Sequence, residues 1–445
     1  MKNLKYKNLL SIILTILFFF PVFSAHAYAA SEDQLAEATY TSLISQTKDQ
    51  FWDSLVSICS YGESSALIPA AVAFSDRTDF SQQEILNIIL DANASYPLRQ
   101  IAIEGYANKN YPKIDYEIYQ VISDDTVPPA LRTLLVSLLS RHMDSSAVPT
   151  LLSVVDNEDA DLSYNAIKTL EKVAPEEALH LSIDIYRNHL NESSARINIA
   201  AKILSHAFST ESQTMPLSKN EYLTLSNEII TQHKSNEATQ SILQSVSEID
   251  QLAATKLNIA NTSTMSSRAS GRQGYAAYRD GVAGNLDWHG AIIYGTGTTT
   301  SSYIFAQASG YGHTTETVNY SVFLNNQTPK GYYRPKSTSL TTSQRDSVIS
   351  TARALVNEHI SYTLTNPISY SMISTTSQYQ PSDILGIRCD GFIEYCYEYN
   401  NIRVFGSDSY WNISHTNSRC QDEHGGFLMT PKSQAENYMT RISAL

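Results

Sequence analysis

Positive charge is scarce in this chain: 31 lysines and arginines stand against 44 acidic residues in 445, a formal charge of −13. The basic residues gather nowhere into a patch. That excludes nucleic acid or an anionic membrane surface as the main partner, since both demand clustered lysine and arginine. Long apolar runs are missing apart from Leu9 to Phe20, which falls short of the about 20 residues that span a bilayer. This run follows the basic start Met1-Lys2-Asn3-Leu4-Lys5-Tyr6-Lys7 and precedes Ala25-His26-Ala27 and Ala27-Tyr28-Ala29. Residues 1–29 therefore read as a secretory signal peptide, and the mature chain is expected to be secreted or periplasmic, with no transmembrane anchor. No cysteine stands near the cleavage region to take a lipid. Two catalytic signatures are absent as well. His289, His313, His359, His415 and His424 show no His-Glu-x-x-His spacing, which argues against a zinc hydrolase, and no Gly-x-Ser-x-Gly elbow points to a serine hydrolase. No cofactor or metal is implied.

Cysteine is the next scarcity, with four in the chain: Cys59, Cys389, Cys396 and Cys420. In an oxidising compartment pairing is the default. Cys389 and Cys396 cannot bridge within one helix, because seven helical residues rise about 10 Å and bridged Cα atoms lie within about 7 Å. The preferred bridge is Cys396 to Cys420, leaving Cys389 as a thiol and Cys59 buried.

Glycine is nearly absent from residue 31 to 257, where leucine, isoleucine and alanine recur at threes and fours. The segment is expected to be all helix. Its helices repeat: Pro97-Leu98-Arg99-Gln100-Ile101-Ala102, Ala130-Leu131-Arg132-Thr133-Leu134-Leu135 and Ala195-Arg196-Ile197-Asn198-Ile199-Ala200 place arginine at one point of an apolar pattern. Arg99 and Arg132 are 33 positions apart, Arg132 and Arg196 twice 32, with Leu162-Ser163-Tyr164-Asn165-Ala166-Ile167 filling the gap. Such a period resembles HEAT-type helical-hairpin repeats, whose long surface commonly holds a protein or peptide partner; an irregular helical domain is the plain alternative. Residues 258–274 are rich in Ser, Thr, Asn and Gly and read as a linker. From 275 to 445 tyrosine, glycine and short alternating runs predict an α+β domain. It should hold a hairpin around His289, a strand near Thr317 to Leu324, and a helix over residues 343–359 capped by Thr341 or Thr342.

Within that half, Ile387-Arg388-Cys389-Asp390-Gly391-Phe392-Ile393-Glu394-Tyr395-Cys396-Tyr397 puts a thiol where a polar turn meets a helix. Phe392, Tyr395, Cys396 and Tyr399 follow at the spacing of one apolar helix face. The unpaired N–H groups and positive dipole end of a helix favour thiolate, the nucleophilic form. Upstream, Asp287-Trp288-His289-Gly290-Ala291-Ile292-Ile293-Tyr294-Gly295 sets a histidine at the mouth of an apolar strand that ends in a glycine turn.

Read together, these segments resemble the NlpC-like branch of the papain-fold cysteine peptidases and amidases, in the circularly permuted order, histidine before cysteine, of the group that includes lecithin retinol acyltransferase. The resemblance spans roughly residues 275 to 400 and rests on these two motifs. It implies Cys389 as nucleophile and His289 as general base. A hairpin centred near Thr298 would pair position 289 with Gln307, whose amide oxygen would accept the imidazole Nδ1–H. Permuted relatives often carry glutamate there, so glutamine departs from the pattern, and His313 and Glu316 are fallback orienting groups. The Cys389 N–H would supply one oxyanion donor. Tyr362 resembles a tyrosine that precedes the cysteine in relatives and would line the pocket with Trp288. Asp390 stands where the unpermuted family has a small residue; it complements the helix dipole yet opposes a nearby thiolate.

The expectation is an exported cysteine hydrolase of amide bonds, with peptide crosslinks or stems of bacterial cell wall as the substrate the resemblance implies. Lipid or ester acyl chemistry is the second possibility. A non-enzymatic adhesion or scaffold protein, with a degenerate papain-like half, is the rival from another class.

Overall fold

The computed structural model describes residues 32–444 except 62–63, 110, 112, 143, 210–214, 234–235, 250–269, 282–287, 298, 311, 371–378 and 405–429. The proposed signal peptide and most of the proposed linker lie outside the described residues. The chain folds as an all-helical region and then a sheet-containing α+β region.

Helices α1 (Glu32–Ile44), α2 (Lys48–Tyr61), α3 (Ser64–Asp76), α4 (Gln82–Leu90), α5 (Tyr96–Asn108), α6 (Tyr116–Ser123), α7 (Pro129–His142), α8 (Val148–Val154), α9 (Ala160–Val173), α10 (Pro175–Arg187), α11 (Ser194–Ser209), α12 (Lys219–His233) and α13 (Asn236–Ile249) succeed one another. Local signals start them where the apolar period begins. Ser81 and Glu84 close a capping box on α4, Asp159 accepts from Leu162 N on α9, and prolines sit in the first turns of α5 and α10. Neighbours in sequence pack in pairs, and α3, α5, α7, α9, α11 and α13 also pack one on the next to form a row. The recurring arginines explain part of the period. Arg99 Nε donates to Ile89 O at 2.9 Å and Arg132 Nε to Ile122 O at 2.6 Å, each ten residues back, so each satisfies a carbonyl at the end of the preceding helix. Arg196 breaks the series, pairing with Asp156 and Glu192.

The second region holds a six-stranded antiparallel sheet in the order β4-β3-β2-β1-β5-β9 and a three-stranded sheet in the order β6-β8-β7. The strands are β1 (Ala276–Asp280), β2 (Trp288–Gly295), β3 (Ile304–Ala308), β4 (Thr315–Asn319), β5 (Pro329–Pro335), β6 (Ser361–Tyr362), β7 (Ile368–Tyr370), β8 (Ile384–Ile387) and β9 (Met439–Ser443). The strand expected near residues 317–324 stops at Asn319, whose side chain caps a short helix α14 (Tyr320–Leu324). Helix α15 (Thr342–Val356) starts at Thr341 in a capping box with Gln344. Helix α16 (Cys389–Glu398) comes after β8 with the single residue Arg388 between them.

One face of the large sheet, with Ala276, Tyr278, Ile292, Ala306 and Ala308, packs under α15 and α16. The other, with Ala277, Ala291, Ile293 and Phe305, packs on Phe323 of α14. Gly290 lets α16 sit close: a Cβ there would lie 2.5 Å from Ile393 Cδ1.

The two regions meet along residues 357–365, where polar side chains of the helical row are spent. Glu358 accepts from Lys168 Nζ at 2.7 Å and Lys202 Nζ at 2.8 Å. Asn165 donates to His359 O, Asn198 to Asn357 O, and Asp161 bonds His359 Nδ1 at 2.6 Å. The Leu364 side chain joins the core of the helical region. Among the described residues no helix is long and apolar enough to cross a membrane.

Burial alone would raise the Glu358 pKa, but Lys168 and Lys202 win and hold it at about 2. A carboxyl depressed on folding stabilises the folded state above its unfolded value near 4.5, and the contribution is lost as pH falls towards 2. Glu358→Gln should therefore cost about 3–5 kcal/mol at pH 7, because two lysines lose their buried anion, and should flatten the decline in stability between about pH 5 and 2. Denaturant unfolding across that range checks it; an unchanged pH profile would contradict it.

Candidate active site

Cys389 is the first residue of α16, buried at 3 % exposure, with Arg388 as the extended residue before it. The anticipated apolar face is present, since Phe392, Tyr395 and Cys396 are fully buried and Tyr399 stacks on Tyr395. Around the thiol the helix start is fixed on several sides. Arg388 Nε and Nη2 each donate to one oxygen of Asp390 at 2.7 Å, and Arg388 N donates to Pro367 O at 2.8 Å. Asp390 is thus a buried ion-pair partner of Arg388. Its charge is compensated by Arg388, which removes most of the opposition to a thiolate next door. A Cβ at Gly391 would meet Pro367 O at 2.0 Å, so glycine is required where the helix and the 364–368 loop touch.

His289, near the start of β2, is buried, and its Nε2 lies 2.8 Å from Gln307 Oε1. Gln307 Nε2 in turn donates to Glu316 Oε1 at 3.1 Å. A carboxylate only accepts, so Glu316 fixes the amide with its oxygen towards the imidazole; His289 then donates from Nε2 and carries its lone pair on Nδ1. The ring nitrogen is the opposite of the one expected, and Glu316 is a third member of the relay rather than a substitute for Gln307. Observed partners Ile292 with Ala306 and Ile293 with Phe305 place Gln307 across from Ala291 by extension. Residues 289 and 307 are therefore diagonal neighbours, within reach of long side chains, because the connection carries a bulge near Gly295.

Arg279 is an addition that no motif in the sequence marks. It faces His289 directly across β1 and β2, is 6 % exposed, and spends Nε on Phe323 O and Nη1 on Asp280 O. Burial depresses its pKa, opposed by Cys389 and Asp280, while its charge acts on His289. The guanidinium is thus within electrostatic range of both sulfur and imidazole. Burial first, then Arg279, push the His289 pKa down to about 3, against the Gln307 hydrogen bond. The imidazole is neutral and basic in form at neutral pH.

Strand alternation sets the limit of this arrangement. Gly290 and Tyr278 face α16, whereas His289, Arg279 and Gln307 share the other face, where the imidazole lies 5.9 Å from the Phe323 ring. Arg279 acts electrostatically on both the sulfur and the imidazole, and His289 Nε2 is spent on Gln307.

Trp288 and Tyr362 make the following contacts. Trp288 packs in an aromatic group with Tyr278 and Tyr333 under Lys330, on the α16 side. Tyr362 faces the helical region: its carbonyl accepts from Gln100, and with Tyr96, Thr133 and His313 it lines a small cavity. Cys396 and Cys59 are buried thiols whose pKa values burial raises, that of Cys59 to about 12. Cys420, His415, His424 and Asp287 lie outside the described residues, so the expected Cys396–Cys420 bridge has one end in view, and that end is a thiol. Among the described residues no group of three or more His, Cys, Asp or Glu could hold a metal.

No family model, curated protein or solved structure matches this chain.

The tautomer gives a direct test. Imidazole NMR of the folded protein is expected to show His289 neutral from about pH 8 to 4, with the proton on Nε2. A midpoint near the ordinary histidine value would contradict the account of Arg279 and burial.

Proposed function

We propose that the protein is an exported cysteine hydrolase of amide bonds, built as a HEAT-like helical region followed by a permuted NlpC-like domain. The observation that carries this reading is the cysteine at the first position of a buried helix, within electrostatic range of a guanidinium that faces a histidine held by Gln307 and Glu316. Helix N-terminus and Arg279 both favour negative charge on sulfur.

In the proposed reaction Cys389 Sγ loses its proton to His289 Nδ1 and attacks the substrate carbonyl. The C–N bond breaks, the imidazolium returns the proton to the departing amine, and water cleaves the thioester with the same histidine as base. With its pKa held at about 3, His289 is a weak base at rest, so the proposed transfer needs burial and the Arg279 charge to be relieved when substrate binds. The step requires a rearrangement that brings Nδ1 to Sγ, since His289 lies on the face of the sheet opposite the one that α16 covers. Peptide stems and crosslinks of the bacterial cell wall are the proposed substrates, on the family resemblance of the two motifs.

A non-enzymatic scaffold is the second reading, favoured by the burial of Cys389 and by the place of His289 on the sheet face opposite α16. Hydrolysis of purified cell-wall peptides separates the two. Cys389→Ala and His289→Ala are each expected to lower turnover by about 10⁴ or more with the fold intact, and Arg279→Gln by about 10². Full turnover in Cys389→Ala would overturn the enzyme reading.

A further inference from the structure

Glu104 is a buried carboxylate of α5, far in sequence from the thiol, yet its hydrogen bonds go to the second region. Its oxygens accept from Leu364 N at 2.9 and 3.0 Å, from Thr365 N at 2.8 Å and from Thr363 Oγ1 at 2.9 Å, with Gln100 Nε2 completing the set at 2.8 Å. The Leu364 side chain is seated in the helical core. On its other side the same residue faces the nucleophile helix: Leu364 O accepts from Arg388 Nη1 at 3.2 Å, and Arg388 grips Asp390 with two further donors. Three residues on, Pro367 O takes the Arg388 N–H and abuts Gly391. The segment 363–367 is thus clamped between a helix of the first region and the residues on either side of Cys389.

We propose that Glu104 is a positioning residue for Cys389. By fixing the backbone of 363–365 it fixes the carbonyls that hold Arg388, and so the direction in which the first turn of α16 presents its N–H groups to the sulfur. The helical region would then be part of the scaffold of the active site and not only a platform for partners. This rests on Cys389 being the nucleophile. A carboxylate suits the task because it accepts several N–H and O–H donors at once, and charge-assisted bonds are roughly twice as strong as neutral ones. An amide at the same place would keep one acceptor and turn a donor towards other donors.

The test is the pH dependence of Cys389 alkylation by iodoacetamide in the full-length protein, read by mass mapping, with Cys59 and Cys396 as internal controls. Glu104→Ala is expected to slow Cys389 labelling at pH 7 by about tenfold and to raise its apparent pKa by about one unit. Glu104→Gln should recover part of the loss, and circular dichroism should be unchanged. Thr363→Val removes a single donor and should give a smaller shift in the same direction, which serves if Glu104→Ala does not fold. An unchanged pH profile in folded variants, or labelling that rises equally at all three thiols, would overturn the proposal. If Cys389 of the unaltered protein labels no faster than Cys59 and Cys396, the nucleophile reading falls first, and the proposal with it.

Discussion

The attachment of residues 357–365 to the helical row is the constraint on which the rest depends. Two carboxylates do most of the fastening, Glu358 between Lys168 and Lys202 from one side and Glu104 on backbone N–H groups from the other. Burying a carboxylate is costly unless every oxygen finds a donor, so this joint is specific in geometry rather than merely adhesive. From it run β6, the 363–367 loop and, through Arg388, the start of α16.

A second consequence concerns charge. Arg388 and Asp390, which flank Cys389 in the chain, compensate each other, and Lys330 pairs with Asp280. Arg279 differs in that its described hydrogen bonds go to carbonyl oxygens, which leaves the sulfur and Asp280 as the anionic groups acting on it. Burial first, and this guanidinium second, hold His289 neutral, while the guanidinium also favours thiolate.

Much of the architecture is legible in the sequence because apolar periodicity is a local property. Arg99 and Arg132 announce the helical period since each does the same job on the preceding helix. Cys389 is recognisable at a helix start because the apolar spacing after it is unbroken. Gln307 is reached by counting across a hairpin, and the count misses by one diagonal step because a bulge is invisible in a register drawn from turn length. Arg279 and Glu104 are hidden from such reasoning. In sequence the one is a charged residue in a strand and the other a glutamate on a helix, and only long-range packing shows that neither faces solvent. The signal that could expose Arg279 is its place in Ala276-Ala277-Tyr278-Arg279-Asp280, where a buried strand carries a charge that a solvated face would not explain.

The proposed hydrolase requires Cys389 to be an activated thiol in the folded protein. Brief treatment of the native chain with iodoacetamide at about pH 7 without reductant, followed by mass mapping, tests it most directly. The account predicts carboxamidomethylation at Cys389 well before Cys59 or Cys396. A Cys389 that stays unmodified until the protein is denatured would contradict it.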